Sequence, residues 1–356
     1  MRKGSEMSQT EERLYFTSDY MEGAHPKVME ALMRTNLVST EGYGEDAFCL
    51  DAERRILEAC RLPEGEVRFL MGGTQVNQFV IDTLLPPCTG VVSAASGHVS
   101  VHEAGAIEFS GHKVLTLEER EGKIDAGSIR RLYLDSMADA NHEHMVTPGM
   151  VYLSQPTEYG TLYSLKELEE ISAVCRQYAL PLFVDGARLA YALAAPHNDV
   201  TLPDLGRLCD VFYIGGTKCG LLFGEALVFT KKGMIPRLTG QIKQHGALLA
   251  KGRLLGVQFQ TLFTDHLYEK IGEPAIQSAA AIREELSARG FELSVHAETN
   301  QIFFAINNDL LEDLGRKVSY GFMEKIDDNR SMIRFCTSWS TTEEKTNALI
   351  RVIREM

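Results

Sequence analysis

The chain contains no Cys-x-x-Cys pair. Its seven cysteines, Cys49, Cys60, Cys88, Cys175, Cys209, Cys219 and Cys336, are odd in number and scattered over 356 residues. Such spacing supports neither a disulfide framework nor a cysteine zinc site, and it points to a reducing compartment. No apolar run approaches membrane-spanning length, and the opening Met1-Arg-Lys-Gly-Ser-Glu-Met-Ser-Gln-Thr-Glu-Glu lacks the apolar stretch of a secretory signal. The expected location is cytoplasmic. Net positive charge is also missing: a formal charge of −13 and a pI near 5.3 argue against nucleic acid or an anionic membrane as the partner. An anionic ligand would have to be met by local cations. Internal repeats, heptads and low-complexity tracts are absent, as are a Walker loop and a Gly-x-Gly-x-x-Gly turn. What the chain does have is length and 44% hydrophobic residues, enough for one large domain and a smaller companion.

From about Pro26 to Thr230, short apolar runs alternate with amphipathic stretches, the pattern of a parallel sheet covered by helices. Strands are expected at Val67–Met71, Gly90–Ala94, Lys113–Leu117, Met150–Gln155, Leu182–Asp185, Val211–Gly215 and Glu225–Thr230. Helices are expected at Asp51–Arg61 and Ser164–Ala179, the latter opened by a Ser164/Glu167 capping box. A long helical stretch then runs from Leu248 towards Lys270. Beyond it, helix Ala275–Arg289, strands near Phe291–Val295, Gln301–Ile306, Tyr320–Lys325 and Ser331–Thr337, and a last helix capped by Thr341 with Glu344 predict a small α+β unit. The expected organisation is an amino-terminal arm (1–20), a large doubly wound α/β domain (21–255) and a small carboxyl-terminal domain (256–356).

Two expected strands end on chemistry. Leu180-Pro-Leu-Phe-Val-Asp185-Gly-Ala-Arg188 delivers a carboxylate, and Val211-Phe-Tyr-Ile-Gly-Gly-Thr-Lys218 delivers an amine, at carboxyl ends where open α/β sheets bind ligands. An amine that can condense with an aldehyde and a carboxylate that can keep a pyridine nitrogen protonated suit pyridoxal phosphate. Taken singly, Asp185 is as well explained as a helix cap and Lys218 as a surface lysine. Met71-Gly72-Gly73-Thr74 reads as strand, turn and helix start, a cup for phosphate, although such turns need glycine for steric reasons too. His98 and His102 stand four apart and would share a helix face. A partly buried pair and an imidazole lying on a cofactor ring each suit the spacing better than metal ligation, and no metal site is expected. His142-Glu143-His144 falls in a polar, solvated loop. Arg334 interrupts an alternating strand; it suits a surface ion pair or a substrate carboxylate.

In order along the chain, Phe16-Thr-Ser18-Asp19, Gly42-Tyr43-Gly44-Glu45-Asp46, Gly73-Thr74-Gln-Val-Asn77, Gly97-His98 with Glu103-x-Gly105, Asp185-Gly-Ala187-Arg188, Gly216-Thr-Lys218, Lys243-Gln244-x-Gly246, Thr299-Asn300-Gln301 and Arg334 resemble the threonine aldolase and β-eliminating lyase family of pyridoxal phosphate enzymes, fold type I. The resemblance implies an aspartate-aminotransferase-like fold and a lyase that cleaves a β-hydroxy amino acid to glycine and an aldehyde. It also implies a homotetramer with active sites at dimer interfaces. Carried over residue by residue, it makes Lys218 the lysine that binds the aldehyde, Asp185 the partner of the ring nitrogen and His98 the stacked imidazole. Gly73 and Thr74 become the phosphate cup; Ser18, Arg188 and Arg334 hold the substrate carboxylate, and Tyr43 reaches the neighbouring site. Two departures stand out. Lys243 takes the place of an arginine that reaches a neighbour's phosphate, and Gln155-Pro156-Thr157-Glu158 stands where Glu-Asn-Thr-His is common, which makes Glu158 the candidate for handling the β-hydroxyl. Elimination, transamination or desulfuration on the same scaffold, and a non-catalytic metabolite-binding α/β protein, are the alternatives.

Overall fold

The computed structural model describes residues 13–356. Its strands are β1 (Leu14–Tyr15), β2 (Glu66–Leu70), β3 (Thr89–Ala94), β4 (Lys113–Leu117), β5 (Thr147–Ser154), β6 (Leu182–Asp185), β7 (Val211–Gly215), β8 (Glu225–Phe229), β9 (Gln301–Asn307), β10 (Val318–Ser319), β11 (Gly321–Lys325) and β12 (Arg330–Cys336). Seven of them form one sheet in the order β2-β8-β7-β6-β5-β3-β4. The pairs β3–β4, β3–β5, β5–β6 and β6–β7 are parallel, whereas β8 runs antiparallel to both β7 and β2. The reason for that exception is the link from Gly215 to Glu225, which is too short for the helical crossover a parallel pair needs. The central strands are buried on both faces: Phe212 and Ile214 join one apolar cluster and Val211 and Tyr213 the other. That two-sided burial explains why their sequences read as unbroken apolar runs.

After β4 the chain returns to the other side of β3, so order reverses between β3 and β5, and a crevice opens at the carboxyl ends there. Helices cover both faces. Ala47–Cys60 begins earlier than the apolar pattern suggested because Asp46 caps it, accepting from Phe48 N and Cys49 N at 3.0 Å each. Helix Leu165–Gln177 opens with the expected Ser164/Glu167 capping box.

The carboxyl-terminal part carries a three-stranded antiparallel sheet, β11-β12-β9, with helices Glu273–Ala288 and Glu343–Glu355 around its own core of Ile302, Phe304, Ile333, Phe335, Leu349 and Ile353. β1 pairs with β10 and buries Phe16 in that core, so a segment near the amino terminus is fastened to the far end of the chain. Three expectations are corrected. Phe291–Val295 is not a strand but touches β9 through a single Leu293–Phe304 bridge, because the facing edge is only partly paired. The stretch from Leu248 to Lys270 is broken into Arg253–Leu262 and Leu267–Lys270 by left-handed Asp265 and His266. The last helix is capped by Thr342, which accepts from Lys345 N, while Thr341 accepts from Ser338 N.

Candidate active site

The crevice at the strand ends holds a cavity of about 280 Å³ lined by Gly72, Gly73, Thr74, His98, Glu158, Asp185, Arg188, Tyr213, Thr217, Lys218 and Glu225 among others. It gathers side chains from β6, β7, β8 and the turns after β2, β3 and β5. Asp185 and Lys218 approach because the turns that carry them lie against each other: a Cβ on Gly186 would sit 2.1 Å from Tyr213 O, and one on Gly215 2.3 Å from Ala187 O. Only glycine permits that contact.

Asp185 is buried, and its carboxylate is fully engaged by donors. Oδ2 accepts from Tyr152 Oη at 2.6 Å and Asn77 Nδ2 at 3.1 Å, and Oδ1 from Ala187 N at 2.9 Å. Burial pushes the carboxyl up, but the His98 ring and hydrogen bonds from Tyr152, Tyr213 and Ala187 outweigh it and hold Asp185 below the ordinary aspartate value. It is therefore an anion in the floor of the cavity.

His98 forms the opposite wall at the start of the short helix His98–Val101. Its Nδ1 lies 2.8 Å from Glu103 Oε1, which also accepts from Asn77 Nδ2 at 2.7 Å. One buried amide thus ties the histidine's partner to Asp185. Burial lowers the His98 pKa, yet the hydrogen bond to Glu103 and the charges of Glu158 and Asp185 raise it overall, favouring the imidazolium. Burial raises Glu103 in turn, offset in part by His98 and Asn77. His102 lies 5.7 Å from His98 between ring centroids, and among the described residues no group of three metal-ligating side chains forms.

The helix Gly73–Leu84 starts at the cavity with Gly72 as a cap that offers no side-chain hydrogen bond. Its first N–H groups and dipole end are left for an anion. A Cβ on Gly73 would meet Tyr213 Oη at 2.8 Å, so glycine here also keeps the tyrosine that supports Asp185 in place. A helix start with unpaired N–H groups, a buried carboxylate, an imidazole and an amine line one cavity, and these residues would suit the phosphate, ring nitrogen, ring face and aldehyde of pyridoxal phosphate.

The predicted carboxylate-binding residues are found in a more elaborate setting. Arg188, buried, is clamped by Asp19 through Nε–Oδ2 at 2.6 Å and Nη2–Oδ1 at 3.1 Å, and Asn300 Nδ2 donates to the same Asp19 Oδ2 at 2.9 Å. Burial raises Asp19, but Arg188, Lys218 and Asn300 bring it down to about 2. Ser18 is buried beside Asp19, with its hydroxyl 3.4 Å from Asp19 Oδ1. Arg334 donates to Gln301 Oε1 at 2.7 Å and Thr17 O at 3.0 Å, and its buried Nε has no partner. Gln301 reaches Glu158 O at 3.3 Å, which joins the arginine to the loop after β5. Ser18 and Arg334 thus stand behind the wall where Arg188 faces the cavity. Tyr43 and Lys243 are elsewhere: Lys243 Nζ lies 4.7 Å from the Tyr43 ring centroid, and both are exposed. His142–Glu143–His144 forms a short 3₁₀ turn at the surface.

Asn77, Glu103, Tyr152, Tyr213, Asp19 and Glu225 belong to the site but had no role assigned from sequence. Asn77, Glu103 and Asp19 lay inside the quoted motifs. Glu225 was visible as a lone charge opening the apolar run Glu225-Ala-Leu-Val-Phe229.

The sheet order, the reversed strand and the paired Asp185 and Lys218 turns define a pyridoxal phosphate enzyme of fold type I. Aspartate aminotransferase from Thermus thermophilus shares that fold with a TM-score of 0.70 at 16% identity, covering 97% of this chain and 92% of that one. Residues 16–309 match the beta-eliminating lyase family, and the chain belongs to it. It is similar to a low specificity L-threonine aldolase of Pseudomonas aeruginosa, 30% identical over 351 residues, 97% of this chain and 98% of that protein. The structure of a Leishmania major threonine aldolase superposes with a TM-score of 0.93 at 40% identity, covering 96% and 99% of the two chains. The protein is a pyridoxal phosphate-dependent lyase, which removes the non-catalytic alternative.

Proposed function

We propose that the enzyme cleaves β-hydroxy amino acids of the threonine type to glycine and an aldehyde. The observation that carries this reading is the delivery of Asp185 and Lys218 to one cavity with two further proton-handling groups, His98 and Glu158, on its walls. When bound, pyridoxal phosphate supplies the aldehyde that takes the substrate amine and a ring that accepts the electron pair of the breaking Cα–Cβ bond.

Lys218 would hold the coenzyme through its aldehyde and, once its amine is free, would serve as a local base or acid. Asp185, held ionised, would pair with the ring nitrogen and keep it protonated. Gly73 and Thr74 would bind the phosphate. Arg188, fixed by Asp19, presents its outer edge to the substrate carboxylate, and Arg334 with Ser18 supports that clamp from behind. His98, biased towards its charged form, is a poor acceptor for the β-hydroxyl proton. Glu158, half-buried on the same cavity and held loosely by Ser154 Oγ at 3.4 Å, is suited to accept it.

Tyr43 and Lys243, side by side and away from this chain's cavity, are the residues a second copy would receive at its own site; a cytoplasmic homotetramer of paired dimers is part of this reading. No helix among the described residues is long and apolar enough to cross a membrane. Borohydride reduction of the holoenzyme followed by peptide mapping is expected to find the coenzyme on Lys218, and assays should release acetaldehyde and glycine from threonine. Coenzyme on another lysine, or keto acid and ammonia as the products, overturns the assignment.

A further inference from the structure

Glu225 is the charged group in the crevice that the reaction just described leaves unused. It opens β8 and is paired in register with Gly215, at the end of β7, and with Leu70, at the end of β2. It therefore sits between the turn that carries Lys218 and the turn that leads into Gly72 and Gly73. Only 3% of it is exposed, yet it lines the same cavity as Lys218 and Thr217. Its Oε2 accepts from Gly216 N at 2.9 Å, two residues before the lysine, and Gly216 N also points to Gly224 O at 3.1 Å. A carboxylate buried at the end of an apolar strand is costly unless a cation answers it. Arg188 is occupied by Asp19, whereas Lys218 lines the same cavity and its charge acts on Glu225.

We propose that Glu225 is a positioning residue for Lys218: it pins the Gly216-Thr217-Lys218 turn through Gly216 and provides the negative charge that favours the protonated amine when Lys218 is free. The groups facing it are consistent with that role. Burial raises the Glu225 carboxyl to about 7, against the lowering by Thr217, Gly216 and Lys218 and with a further rise from Asp185. Tyr213 and Tyr268, which also feel its charge, are pushed by burial well above the tyrosine value, and burial pushes the Cys219 thiol up as well. None of these three competes with Glu225 for a proton near neutrality. His98, also on the cavity, has its pKa lowered by burial but raised overall by Glu103, Glu158 and Asp185, and its contribution is common to all the variants compared below.

The inference rests on the placement of Lys218 in the site, and its test is chosen to work without the coenzyme. Glu225→Gln keeps the size and the acceptor for Gly216 N–H but removes the charge. In coenzyme-free protein, limiting acetic anhydride labels only neutral amines, and peptide mass spectrometry reports the rate at Lys218. At a pH above about 7, where the Glu225 carboxylate is ionised, loss of the counter-charge should make labelling of Lys218 several-fold faster in Glu225→Gln. Glu225→Asp, with its charge withdrawn by one methylene, is expected to shift in the same direction by less. With pyridoxal phosphate added, the pH at which the coenzyme's absorbance changes should move down in Glu225→Gln, a signature that a merely structural contact would not produce. Unchanged labelling of Lys218 in folded Glu225→Gln overturns the proposal. Should circular dichroism show that variant unfolded, parental labelling of Lys218 in a folded Glu225→Ala overturns it instead. A failure of borohydride mapping to find Lys218 would count against the coenzyme assignment and leave the labelling comparison intact.

Discussion

The floor and the rim of the crevice are built on different principles. The floor, Asp185 with Tyr152, Asn77 and Glu103, and the adjoining His98 wall come from strands of one sheet and the helices and turns that directly follow them. There Asp185 accepts from Tyr152 and Asn77, and Glu103 lies against Asn77 and His98. The rim, Arg188 with Asp19, Asn300, Arg334 and Thr17, is assembled from β6, the segment after β1 and the carboxyl-terminal sheet, through contacts that close loops of 169 and 317 residues. A sheet can fix the floor as soon as its strands pair. The rim exists only when both ends of the chain have docked, and any motion of the carboxyl-terminal sheet is transmitted to it.

The sharpest way to break this contrast is to remove the rim's central anion. Asp19→Asn leaves Arg188 buried without its partner, and breaking a buried pair of this kind costs roughly 3–5 kcal/mol. Chemical denaturation should show that loss, together with a weaker acid dependence. The Asp19 pKa is depressed from 3.8 to about 2, so its contribution is complete above 3.8 and disappears as pH falls through about 2. An Asp19→Asn protein as stable as the parent at pH values well above 3.8, where the Asp19 contribution is complete, would show that the rim is ornamental to the fold.

Asp185→Asn probes the floor and should separate the two regions in the opposite sense. The fold keeps part of this hydrogen bonding, because the amide oxygen can still accept at one of the two carboxylate positions, from Tyr152 and Asn77 or from Ala187, while the electron sink loses its anion. We expect kcat to fall by roughly a hundred- to a thousandfold with KM little changed. Retention of near-parental kcat would reduce Asp185 to a cap for the turn that follows it.

The same contrast explains what the amino-acid sequence revealed. Asp185, Lys218, Gly73 and His98 sit within a few residues of a strand end, so apolar runs followed by glycine were enough to place them. The antiparallel β8 and the partners of Arg188 and Arg334 were not legible. β8 differs from its neighbours only in the length of the link before it, and the clamp depends on side chains hundreds of residues apart. Glu103 and Asn77 were quoted as parts of motifs, but nothing local marks a buried amide as the bridge between a histidine's partner and an aspartate. Helix ends shifted by a residue or a turn wherever a competing cap, Asp46 or Thr342, was closer to the real start.

Arg334 offers a milder probe of the rim, since lysine keeps its charge but loses the fork shared by Gln301 and Thr17. Arg334→Lys should raise KM for the amino acid about tenfold, equivalent to about 1.4 kcal/mol, with the resting coenzyme absorbance unchanged. Loss of bound coenzyme instead would move Arg334 from the substrate side to the phosphate side or to the fold.

The most selective expected effect falls where floor and rim meet, at Glu158. Its side chain lines the cavity and its backbone carbonyl receives Gln301, the same residue that holds Arg334. If its carboxylate takes the β-hydroxyl proton, Glu158→Gln removes the acceptor but leaves the carbonyl contact, so the rim stays assembled. Cleavage of threonine should then slow by roughly one to two orders of magnitude, the lower range for loss of a positioned base. Exchange of the α-proton of glycine, which has no β-hydroxyl, should change little, and KM should stay within about twofold, a difference of about 0.4 kcal/mol in binding. Equal loss in both assays would mean that Glu158 acts through the loop after β5 and the Gln301 contact, as part of the rim. An unchanged ratio with unchanged rates would transfer the proton to His98 or to water and leave Glu158 outside the chemistry.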